Sequence, residues 1–90
     1  MHRVHAVVRG RVQGVGFRYF ARRRALALGL TGWVRNRHDG GVELEAEGDR
    51  VALEAFLEAL HQGPSASRVS SVDADWRDEP PRHRGFEIEG

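Results

Sequence analysis

Arg18 directly follows a stretch of unusual backbone freedom. In Gly10-Arg11-Val12-Gln13-Gly14-Val15-Gly16-Phe17-Arg18, three glycines fall within seven residues, and a helical pattern starts at Phe17. Glycine lets the chain take positive φ and lets a ligand approach the backbone closely. Successive amides in such a turn converge into an anion-binding nest. A helix starting here adds N–H groups without intrahelical acceptors and the positive end of its dipole. Arg18 adds a planar fork that fits a phosphate or carboxylate. Together these parts suit a small dianion such as a phosphoryl group. The same features also serve a plain tight turn followed by a solvated arginine, and residue types alone leave both readings open.

Two nucleotide-binding patterns are excluded. A dinucleotide fingerprint needs a further glycine after Gly14-Val15-Gly16, where Phe17, Arg18 and Tyr19 stand. A P-loop needs a lysine, and all 14 basic residues are arginine. The lack of lysine also removes Schiff-base chemistry. The lack of cysteine removes disulfides, zinc–thiolate sites and a thiol nucleophile. The five histidines are scattered without ligand spacing, so a metal site is not expected. A net charge of +1 gives weak steering towards nucleic acid. Arg22, Arg23 and Arg24 spread around a helix rather than forming one patch. No apolar run reaches membrane length and no leader pattern opens the chain, which points to a cytoplasmic protein without membrane contact.

The elements around the glycines follow from their periods. Residues 3–11 read as a strand, with Val4, Ala6 and Val8 on one face. Phe17 to Leu28 has helical spacing, interrupted by Arg24, and Gly29 ends it. Residues 31–37 and 42–47 form a hairpin around His38-Asp39-Gly40-Gly41. Its second strand alternates Val42, Leu44 and Ala46 inward with Glu43, Glu45 and Glu47 outward, towards an expected solvated face. Asp49 suits a helix cap, Leu53, Phe56, Leu57 and Leu60 form the next apolar stripe, and Gly63-Pro64 stops it. Arg68 to Trp76 alternates as a strand, residues 78–85 read as a loop, and Phe86 with Ile88 makes a short final strand. Trp33 and Trp76 are expected in the core or at its edge. The order β-α-β-β-α-β, in one domain over residues 1–90, gives a two-layer α+β sandwich. Its mainly antiparallel sheet is covered on one face by two helices. Ninety residues bury only about 60–65% of their unfolded surface, so the core must be compact.

The glycine stretch, together with Gly32-Trp33-Val34, Asn36, Gly40 or Gly41, the alternating strand and Gly48, resembles the paired signature of the acylphosphatase family. The likeness spans nearly the whole chain in length and element order. It implies a ferredoxin-like βαββαβ fold. It also implies an enzyme that hydrolyses small acyl phosphates to a carboxylate and inorganic phosphate, without metal or cofactor. By resemblance, Arg18 and the backbone amides of Gln13, Gly14, Val15, Gly16, Phe17 and Arg18 hold the phosphate, and Asn36 orients the attacking water. Without the resemblance, Asn36 reads as a residue initiating the turn before His38-Asp39-Gly40. The chemistry agrees with the implied roles: acyl phosphates are already activated, so positioning and charge stabilisation suffice. An amide fixes a water through its acceptor and donors but is a poor base. Gly16 stands where the pattern is open, and the chain ends Phe86-Glu87-Ile88-Glu89-Gly90, without the aromatic residue of many relatives. A monomer is expected. The competing readings are an RNA-recognition module, which lacks its aromatic-rich strand here, and an acylphosphatase-like module from a larger carbamoyl-transferring maturation protein.

Overall fold

The computed structural model describes all 90 residues. The elements are β1 (His2–Arg11), α1 (Phe17–Ala27), β2 (Thr31–Asn36), β3 (Val42–Gly48), α2 (Arg50–Gln62), β4 (Arg68–Asp78) and β5 (Phe86–Glu89). They form one five-stranded sheet in the order β4-β1-β3-β2-β5, with both helices on one face. The fold is the expected ferredoxin-like sandwich. Three of its strand pairs are antiparallel, and β5 adds a parallel edge beside β2, so the sheet is mixed.

Period-two alternation puts Val4, Ala6 and Val8 of β1 opposite Ala46, Leu44 and Val42 of β3, and all six are fully buried. Phe17, Ala21 and Ala25 of α1 and Leu53, Phe56 and Leu60 of α2 close over this face. Helix α1 ends where Leu30 N–H reaches back to the Ala25 carbonyl at 2.9 Å across Gly29. Asp49 sits at the cap position of α2 in extended conformation, yet its side chain makes no capping bond; the helix starts from its carbonyl, which accepts from Leu53 N–H at 2.9 Å.

The opposite face of the sheet departs from the sequence expectation. Glu45 and Glu47 are buried, at 7% and 1% exposure, and Glu43 is half-buried. Glu47 takes Nε and Nη2 of Arg3 at 3.0 and 2.8 Å, and the backbone amides of Arg82 and His83 at 2.8–3.1 Å. Glu45 takes Arg82 and His83, while Glu43 takes His5 and Arg35. Arg3 also holds Glu79 and the Pro80 carbonyl. The loop through Glu79–Arg84 is thus a strap across the sheet, and β3's central position lets it carry the strap's anchors. Trp33 lies on this face as well, half-buried under Arg35 and edge-on to His5, whereas Trp76 packs against the core below Arg50.

Candidate active site

The loop between β1 and α1 is pinned from below by alternate side chains. Val12 and Phe17 are buried, Val15 packs against the core, and Gly14 and Gly16 are exposed. Gly14 has φ 75° and Gly16 φ 78°, the left-handed region that side-chain-bearing residues avoid. A Cβ built on either glycine meets nothing within 4 Å, so the loop borders open space there.

Its donors are unused. No amide from Gln13 to Tyr19 donates to a protein acceptor; the first helical bond runs from Phe20 N–H to the Gly16 carbonyl at 3.0 Å. The first turn of α1 contains no acidic residue and its cap position, Gly16, offers no side chain. A run of free amides at the positive end of a helix is an anion-binding arrangement. Phe17 contributes only its backbone to this arrangement, because its ring is buried 6.0 Å from that of Phe20.

Arg18 is the second residue of α1 and is half-buried. Arg3 and Arg37, the only other arginines that are buried or half-buried, are both tied up in ion pairs. Arg18 has no carboxylate within salt-bridge distance and makes no hydrogen bond inside the protein, so its fork is available to a ligand. Arg22, one helical turn later, is spent on the Phe86 carbonyl at 2.9 Å, and Arg24 lies over the Phe20 ring.

Asn36 ends β2 opposite Val42. It shares the parity of Val34, which is fully buried under the helices, so it continues the helix-facing row to the end of the strand. Its side chain is exposed and makes no hydrogen bond within the protein. The turn that follows is heavily braced. Asp39 takes Arg37 and Arg9 and accepts from Gly41 N–H at 3.1 Å. The Arg37 and Gly41 bonds hold the Asp39 carboxyl well below the usual carboxylate range. His38 is exposed, as a turn residue should be. Residues 35–39, Glu43 and Gly90 line an open cleft beside Asn36.

Gln13 joins the two halves. Its Nε2 donates to the Arg37 carbonyl at 2.7 Å and the Gly41 carbonyl at 2.8 Å. The glycine loop is therefore stitched to the residue after Asn36. The sequence offered the amide of Gln13 as a phosphate ligand but gave no hint of this side-chain role. Nothing on the helix-facing or outer surface gathers three His, Cys, Asp or Glu side chains into a metal-binding group.

The acylphosphatase family profile matches residues 4–88. An acylphosphatase of Salinibacter ruber is 57% identical over 86 residues, covering 96% of this chain and 90% of that protein. One from Thermus thermophilus is 53% identical, over 88% and 90% of the two chains. The crystal structure of the Bacillus subtilis acylphosphatase superposes with a TM-score of 0.97 at 42% identity, each chain covered in full. With its fold, its length and its profile all in agreement, this chain belongs to the acylphosphatase family.

Proposed function

We propose that the protein hydrolyses small acyl phosphates to a carboxylate and inorganic phosphate, with the phosphoryl group held by the amides of Gln13–Arg18 and by Arg18. One observation carries this reading: Arg18 is half-buried without any protein partner, at the end of a loop whose amides also lack acceptors. Charge on the phosphoryl oxygens is what such a group of donors stabilises.

Asn36 orients the water on the far side of the phosphorus from the acyl oxygen. The water oxygen forms a bond to phosphorus while the bond from phosphorus to the acyl oxygen breaks. The departing carboxylate keeps the electron pair of that bond. The water's proton passes to a phosphoryl oxygen, since an amide side chain does not accept it. A carboxylate is a good leaving group, so no strong base is required, and alignment supplies much of the acceleration. The same reading makes the protein a monomer of the cytoplasm, working on free small molecules without metal, cofactor, nucleic acid or membrane. No helix is long and apolar enough to cross a membrane.

Benzoyl phosphate hydrolysis, followed by ultraviolet absorbance in the presence of EDTA, is the direct assay. Turnover by the wild-type protein, with loss in Arg18→Ala and Asn36→Ala, is the expected result. Folded protein without turnover above background contradicts the proposal. Carbamoyl phosphate as a second substrate bears on the HypF crystal structure that this chain also matches, at 29% identity and a TM-score of 0.84 over 12% of that longer chain.

A further inference from the structure

We infer that the Gln13 side chain is a positioning residue, which sets Asn36 against the phosphate-binding loop; the inference rests on the roles of that loop and of Asn36 proposed above. Asn36 and the loop belong to different parts of the chain. They approach through β1 and β2, which are not neighbours, since β3 lies between them. The sheet alone therefore fixes their relation only through a third strand. In-line attack is sensitive to such a relation, because a misplacement of about 1 Å costs about 10²-fold in rate.

Gln13 supplies the direct connection. Both of its partners are carbonyl oxygens, so the amide group must present its NH2 to them, and each of its two hydrogens has an acceptor. These carbonyls are also the ones that close the hairpin turn: Arg37 N–H donates to the Gly41 carbonyl at 2.8 Å, and Gly40 N–H donates to the Arg37 carbonyl at 3.3 Å. Gln13 thus holds the turn at its neck. The residue held on one side is Arg37, adjacent to Asn36 in the chain. On the other side is Gly41, adjacent to Val42, the cross-strand partner of Asn36. Gln13 itself lies at the start of the amide run. Gln13 is not among the core residues, and its two bonds tie the loop to the turn.

Three variants separate this role from a structural one. Gln13→Met keeps the length and volume and removes both donors. Gln13→Asn keeps an amide one methylene too short to span the gap, and serves if the methionine variant folds poorly. Asn36→Ala removes the group being positioned. Each is assayed for kcat with benzoyl phosphate and for the inhibition constant of inorganic phosphate. Gln13→Met is expected to lower kcat by about 10–100-fold while changing the phosphate inhibition constant by less than about threefold, since the loop amides and Arg18 remain. In the Asn36→Ala background the same substitution is expected to lower kcat by less than about threefold, because the positioned group is gone. Unchanged kcat in folded Gln13→Met or Gln13→Asn overturns the inference and leaves the roles of Arg18 and Asn36 standing. Equal loss in both backgrounds also overturns it, because Gln13 would then act independently of Asn36. If Asn36→Ala itself keeps full turnover, the proposed role of Asn36 fails, and this inference with it.

Discussion

Two arginines of the same sheet-and-helix framework show opposite fates. Arg3 lies in β1 with 4% exposure and is consumed by Glu47, Glu79 and the Pro80 carbonyl. Arg18 lies in the first turn of α1, is half-buried, and meets no acceptor. The neighbourhoods differ in the same way. On the strapped face every buried side-chain polar atom has a partner. In the glycine loop the backbone donors have none. Buried polar groups are ordinarily satisfied inside the protein, so a local excess of donors in an otherwise satisfied molecule marks where a ligand supplies the acceptors. The strapped face is satisfied within the protein, whereas the loop keeps its donors free.

The largest effect that tests this contrast is on stability. Glu47→Ala leaves Arg3 buried without its main carboxylate and strips the Arg82 and His83 amides of their acceptor. A loss of about 3–5 kcal/mol is expected, as for a buried pair broken on one side. Urea unfolding measures it, and a change below about 1 kcal/mol would place the strap among surface salt bridges instead. Turnover per folded molecule should stay close to wild type.

Arg18→Ala should do the reverse. It is expected to lower kcat/KM by about 10²–10³-fold, the scale of losing a donor to transition-state charge, with unfolding stability changed by less than about 0.5 kcal/mol. Arg18→Lys should restore little, because a point charge does not reproduce the fork. Large destabilisation by Arg18→Ala would show that Arg18 has a structural partner after all.

The smallest effect is the pH dependence that the strapped face contributes. Burial pushes the carboxyls of Glu43, Glu45 and Glu47 up. Hydrogen bonds from His5 and Arg35, from Arg82 and His83, and from Arg3 with the 82–83 amides outweigh it, leaving all three below the ordinary 4.5. A carboxyl with a depressed native pKa contributes stability that is complete above its unfolded value and is lost as pH falls through the native value. Stability should therefore hold from neutral pH down to about 5 and fall steadily at lower pH. Glu47→Gln should flatten that fall. An unchanged slope between pH 5 and 3 in Glu47→Gln would remove Glu47 from the group responsible.

How much of this is legible in the sequence differs between the same two regions. The glycines and Arg18 stand out because backbone freedom and helix starts are local properties, whereas Asn36 reads locally as a turn residue and is singled out only by the family resemblance. Both helices and the four longer strands follow from local periods as well. The fate of Glu43, Glu45 and Glu47 is not local. Their alternation is what a solvated face shows, and most of what covers them is distant in the chain: the residue 82–83 groups that meet Glu45 and Glu47 lie 35 to 38 positions away, and His5 lies 38 from Glu43. A partial sign was present in the complementary alternation of Arg3 and His5, which face Glu47 and Glu45 across β1 and β3. The parallel placement of β5 beside β2 is equally non-local. Gln13 was legible as a residue type only, since nothing in a glycine-rich loop says which carbonyls its side chain will meet.

The central claim is that the unpaired donors around Arg18 form the phosphate site. Titration of the 15N-labelled protein with inorganic phosphate tests it directly through amide and arginine Nε shifts. The account predicts saturable shifts concentrated in the amides of residues 13–19 and the Arg18 side chain, with Arg3, Arg82 and the β3 glutamate face silent. Saturable shifts centred on the strapped face, or none in residues 13–19, would contradict it.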